Sequence, residues 1–120
     1  MPTPLLVALG GALGALARWG LAVGAARWLG EGAPWGTWAA NVLGCFLIGL
    51  ALPALSAADP RRALAVVGFL GAFTTFSTYT AETLLLWESG RMGLAALNAA
   101  GSVLAGLAAC GLGLALGRAL

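Results

Sequence analysis

Apolar residues in this chain do not keep to one face of each segment. They run almost all the way round in four stretches, about 4–26, 37–56, 63–87 and 93–117, separated by short polar patches. A soluble amphipathic helix keeps a polar stripe for water, whereas a helix apolar on every side belongs in lipid or a large core. Each stretch also reaches the roughly 20 residues that carry a helix across about 30 Å of hydrocarbon. The pattern therefore predicts an all-α integral membrane protein with four transmembrane helices. The connections have turn compositions: Gly30, Glu31, Gly32 and Pro34; then Ala58, Asp59, Pro60, Arg61 and Arg62; then Glu88, Ser89, Gly90 and Arg91. None is long enough for an extramembrane domain, so residues 1–120 read as a single four-helix transmembrane domain.

Composition narrows the function classes. At 61% hydrophobic and 8% charged, the chain lacks the polar surface to cover a soluble globule. With six arginines, no lysine and no histidine, it has neither a basic patch for nucleic acid nor a ligand set for zinc or iron. Cys45 and Cys110 fall inside apolar helices, where a thiol packs as a small hydrophobe. The first apolar run lacks a basic lead-in and a small-residue cleavage site, so a cleaved signal peptide is not expected.

Charge placement bears on assembly. With the N-terminus on side one, Arg61, Arg62 and Arg118 fall there, against Arg27, Arg91 and Arg18 toward side two. Orientation normally follows an excess of Lys and Arg on the cytoplasmic side. A near tie predicts insertion both ways, hence an antiparallel, dual-topology homodimer with its two-fold axis in the membrane plane. Trp28, Trp35, Trp38 and Trp87 gather near loops one and three, giving one aromatic belt per protomer, and an antiparallel partner would supply the other. Gly10 with Gly14, Gly20 with Gly24, and Gly113 with Gly117 have the spacing that lets membrane helices approach closely, as in ordinary tight bundle packing.

The densest polar feature lies in the middle of the third helix, in the run from Gly68 to Glu82 that contains Thr74, Thr75, Ser77, Thr78, Tyr79 and Thr80. An isolated hydroxyl in a membrane helix commonly bonds back to its own helix, but a cluster needs a further reason. Gly71 followed by Thr74 and Thr75 marks a candidate helix break, tolerated at this depth only where freed backbone faces protein, water or an ion. Freed carbonyls would suit a small cation, while freed N–H groups and hydroxyls would suit an anion. Beyond the break, Thr75, Thr78 and Glu82 share one face and the rings of Phe76 and Tyr79 a neighbouring one. Aromatic edges carry partial positive charge. Arg18, two-thirds along the first helix, is a functional-site candidate, with snorkelling as the alternative. Asn41, opening the second helix after Gly36 and Thr37, either caps or cross-links helices or lines a pathway. Asn98 and Ser102 share a face of the fourth helix.

Taken together, these residues resemble the CrcB/Fluc fluoride channel family. The likeness runs through Gly10, Gly11, Gly14, Ala15 and Arg18, then Gly36, Thr37, Asn41 and Gly44, then Gly68 through Glu82, with Thr74 to Thr78 (TTFST) its most specific part. The resemblance implies an antiparallel homodimer with two pores that passively exports fluoride across the cell inner membrane. It also implies a structural sodium ion at the dimer interface, held by the backbone carbonyls of Gly71 and Thr74 from both protomers. By the same resemblance, Phe76 and Tyr79 line the pores, Asn41 presents its amide to fluoride, Ser77, Thr78 and Ser102 belong to a polar track, and Arg18 helps make an electropositive vestibule. The chain departs from the family pattern at Tyr79, where phenylalanine is usual, and at Ala72, where glycine is usual. One rival is a small dual-topology multidrug exporter, which needs a carboxylate in helix one; here there is none. A non-transporting membrane subunit would leave the hydroxyls as packing groups, against their clustering with Arg18 and Asn41. An enzyme is the weakest reading, because Glu82 has no visible catalytic partner.

Overall fold

A computed structural model describes all 120 residues, and every regular element in it is helical. Helix α1 spans Thr3–Leu29 and α2 spans Trp35–Ala54. The third membrane span, Pro60–Glu88, is divided. Its first part, α3 (residues 60–73), joins a turn at Pro60–Arg62, a π-helical segment at Ala63–Leu70 and a last turn at Gly71–Phe73. Its second part, α4, runs Phe76–Glu88, and α5 runs Met92–Ala119. All four spans are long and apolar enough to cross a membrane.

The observed ends lie within three residues of the hydropathy bounds, and local chemistry explains them. Gly30 and Gly90 follow α1 and α4 with φ of +82°, a left-handed turn that glycine adopts without a Cβ penalty. Asp59 caps α3 by accepting the Arg61 backbone N–H at 2.9 Å, and its carboxylate also pairs with the Arg61 guanidinium. These hydrogen bonds from Arg61 hold the Asp59 carboxyl below the usual carboxylate range. In the third loop the Arg91 guanidinium donates to the Gly32 carbonyl, tying loops one and three together.

Lipid tails are as apolar as leucine, so these helices gain little from hydrophobic burial against one another and depend on close packing. Two of the three glycine pairs provide it. A Cβ on Gly10 or Gly14 would overlap the backbone of Leu64 or Phe69, so α1 lies directly on the π-helical segment. A Cβ on Gly113 would overlap the Phe46 carbonyl, and one on Gly117 would come within 2.7 Å of the Leu50 carbonyl, so α5 lies directly on α2. The third pair behaves differently from the packing expectation, because a Cβ on Gly20 or Gly24 meets nothing within 4 Å in the chain.

Candidate functional site: the broken third span

The break predicted at Gly71–Thr75 is present. Thr74 (φ −87°, ψ 155°) and Thr75 (φ −151°, ψ 119°) are extended, between a helix that stops at Phe73 and one that restarts at Phe76. The restart follows from Thr75 acting as an N-cap: its hydroxyl accepts the Thr78 backbone N–H at 3.2 Å, as threonine does at a helix start. Upstream, Thr74 donates its hydroxyl to the Leu70 carbonyl at 2.9 Å, completing the last turn of α3.

Two polar side chains from other helices hold the extended residues. Asn41 uses both ends of its amide: Oδ1 accepts the Thr75 N–H at 2.7 Å and Nδ2 donates to the Thr75 carbonyl at 3.0 Å. From α1, Arg18 donates Nε to the Ala72 carbonyl at 3.0 Å. Backbone groups stripped of helical partners in hydrocarbon cost several kcal/mol each, so Asn41 and Arg18 are the groups that make the break tolerable. Asn41 lies in the second turn of α2 rather than at its opening, which brings it level with the break. One amide hydrogen of its Nδ2 remains uncommitted.

The same bonds leave other groups free. In a continuous helix the Gly71 carbonyl would accept from Thr75 N–H and the Thr74 carbonyl from Thr78 N–H. Those donors are taken by Asn41 and by the Thr75 hydroxyl, so neither carbonyl accepts a hydrogen bond within the chain. The N–H groups of Phe76 and Ser77, in the first turn of α4, likewise have no acceptor. Carbonyls free on one side of the break and amides free on the other realise both alternatives posed by the sequence.

An open cavity of about 370 Å³ lies beside the break, and Asn41, Thr75, Phe76, Tyr79 and Ser102 are among the residues lining it. Four candidate pathway residues from α2, α4 and α5 thus meet in one place. Ser77 and Thr78 are not on its wall; they cluster on Thr75 instead, with hydroxyl oxygens 3.3 and 3.1 Å from its Oγ1. Arg18 is also off the wall, on the α1 side of the break. The Phe76 and Tyr79 rings are 5.7 Å apart and tilted by 41°. Phe76 is 78% exposed, so any enclosing wall on that side must come from outside the chain. The Tyr79 hydroxyl donates to the Ala99 carbonyl of α5 at 2.7 Å, and Ser102 donates to Asn98 at 3.2 Å.

Sequence reasoning left Glu82, Thr37 and Thr83 without partners. Thr37, 8% exposed, donates to Glu82 Oε1 at 2.9 Å, while Glu82 Oε2 is buried with no partner. Both border a second cavity of about 190 Å³ that reaches Glu31 and Trp35 in the first loop region. The Thr37–Glu82 pairing spans 45 residues, so no local spacing announces it.

The family model described as CrcB-like protein, Camphor Resistance (CrcB), matches residues 5–114. The chain belongs to the CrcB family. A Magnetococcus marinus protein named fluoride-specific ion channel FluC is 48% identical over 116 residues, covering 93% of this chain and 94% of its own length. Proteins of the same name from Acidobacterium capsulatum and Thermus thermophilus are each 50% identical, covering 95% and 97% of this chain and 94% of their own lengths. The aligned stretches take in the whole divided span, so the CrcB family membership extends to the residues that make and staple the break.

Proposed function

We propose that this chain is one protomer of a passive, fluoride-selective channel in the cell inner membrane, which exports fluoride and lowers its cytoplasmic concentration. The observation that carries the reading is the stapled break, where Asn41, Phe76, Tyr79 and Ser102 converge on one cavity next to unpaired backbone N–H groups. The names of the relatives above point to the same ion.

Fluoride is small and strongly hydrated, so a pore must replace its water with donors along a narrow path. The spare Nδ2 hydrogen of Asn41 and the partial positive charge at the start of α4 are suited to this. The edges of Phe76 and Tyr79 add a weakly positive lining. Thr78 accepts from Thr75 and keeps its own hydroxyl hydrogen, Ser77 stands beside it, and Ser102 would turn from Asn98 to join the track. Arg18, held on the Ala72 carbonyl, contributes positive charge to the vestibule. A bore fitted to fluoride excludes chloride by size. Fluoride that has entered as the neutral acid and dissociated inside leaves under the membrane potential, with no further energy source.

The channel reading includes an antiparallel, dual-topology homodimer. Support comes from the even split of arginines between the two sides and from the exposed face that carries Gly71, Phe76 and Ser77. The Gly71 and Thr74 carbonyls, lacking donors, have the hard-oxygen chemistry a sodium ion takes, so the residues fit a structural sodium at the dimer interface. Such an ion would supply a fixed positive charge joining the protomers.

The test is efflux from liposomes holding the purified protein, with fluoride and chloride compared for wild type and Phe76→Ile. Rapid fluoride loss without chloride loss, abolished by the substitution, is the expected result. A folded dimer that releases no fluoride contradicts the proposal.

A further inference from the structure

Past the break, α4 carries the ring pair, yet apolar packing does little to fix it. Phe76 and Tyr79 border open cavities on two sides, of about 370 and about 540 Å³. What joins this part of α4 to α5 is polar. Asn98, 6% exposed, donates Nδ2 to Thr83 Oγ1 at 2.8 Å and accepts the Ser102 hydroxyl on Oδ1. Thr83 in turn donates to the Tyr79 carbonyl at 2.7 Å. One turn of α4 earlier, the Tyr79 hydroxyl reaches across to the Ala99 carbonyl, next in sequence to Asn98. Two neighbouring residues of α5 thus grip α4 at Tyr79 and Thr83, one through a side chain and one through the backbone.

We propose that Asn98 is a positioning residue for the pathway: through Thr83 it fixes the rotation of α4 against α5, and with Tyr79 anchored on Ala99 it holds the Phe76–Tyr79 rings in place. The Tyr79 hydroxyl belongs to this clamp and does not donate to the anion. The consequence for conduction rests on the fluoride-channel reading, while the clamp itself does not. Losing the clamp is expected to slow conduction about tenfold, equivalent to about 1.4 kcal/mol on the barrier.

Tyr79 is the only tyrosine in the chain, so the full-length protein in lipid, labelled with ¹³C at the tyrosine ζ carbon, gives one ring signal to follow beside fluoride efflux. Asn98→Ala and Thr83→Val are each expected to shift or broaden that signal and to slow efflux about tenfold, with the double variant no worse than either single one. Thr83→Ser keeps the hydroxyl and is expected to behave as wild type. Should Asn98→Ala fail to fold, the contrast between Thr83→Val and Thr83→Ser decides the matter. An unchanged tyrosine signal in Thr83→Val, or equal damage from Thr83→Ser and Thr83→Val, would overturn the proposal. A wild-type protein that passes no fluoride overturns the channel reading instead, and the clamp then stands or falls on the tyrosine signal.

Discussion

The seam between α2 and α5 and the break in the third span solve the same problem in opposite ways. Along the seam, Gly49 faces the Cys110 carbonyl and Gly113 the Phe46 carbonyl, and no side-chain hydrogen bond joins the two helices. Each helix satisfies its own backbone, and the pair needs only small residues to approach. At the break the backbone cannot satisfy itself, so side chains from α1 and α2 do it: Arg18 on Ala72, and Asn41 on Thr75. The contrast separates the frame from the working part. Regular packing makes a wall that gives an ion nothing to bind, whereas the break supplies free carbonyls, free amides and a cavity at the same depth.

The comparison can be broken most forcefully at the seam. Gly113→Ala puts a Cβ onto the Phe46 carbonyl and is expected to cost about 3 kcal/mol or more, as severe overpacking does, with little monodisperse protein recovered. Gly111→Ala, on the same helix where a Cβ meets nothing, is expected to raise thermal stability slightly, by up to about 1 kcal/mol from helix propensity. Equal behaviour of the two would remove close packing from the account. At the break, Asn41→Leu strands both the N–H and the carbonyl of Thr75. Its expected cost is about 2–3 kcal/mol in thermal unfolding, together with loss of fluoride efflux. Arg18→Gln removes one charge-assisted bond and should destabilise by about 1.5 kcal/mol. The smallest effect is at the exposed cap of α3. The Asp59 carboxyl is held low by Arg61, so its contribution is full above the ordinary carboxylate range and fades as pH falls toward the depressed value. Asp59→Asn should therefore lower stability slightly at neutral pH, leave it nearly unchanged at acid pH, and so flatten the acid side of the thermal stability profile.

The frame and the break differ in how far they can be read from sequence. Hydropathy placed the four spans because each is a local property of about 20 residues. Gly10, Gly14, Gly113 and Gly117 announced close approach through their spacing, although Gly20 and Gly24 share that spacing and pack against nothing in the chain. The break itself was visible, since Gly71 and paired threonines are poor continuers of a membrane helix and Thr75 is a natural cap. Its fastenings were not. Arg18 reaches a carbonyl 54 residues away and Asn41 a peptide 34 residues away, and no periodicity encodes such pairings. The π-helical stretch Ala63–Leu70 was also silent, because nothing in its composition separates it from an α-helix, and the close approach of Gly10 and Gly14 to its backbone is non-local. Tyr79 stood out as a ring beside Phe76 and as a departure from a family pattern, but the acceptor of its hydroxyl, a backbone carbonyl, has no sequence signature at all.

The central claim is that fluoride passes through this protein passively and selectively. The most direct measurement is the zero-current voltage across a planar bilayer containing the purified protein, with a tenfold fluoride gradient and equal chloride on both sides. The account predicts a macroscopic current that reverses at the fluoride equilibrium potential, about 59 mV from zero for a monovalent ion. A reversal at zero, or no current from protein shown to be folded and inserted, would contradict it.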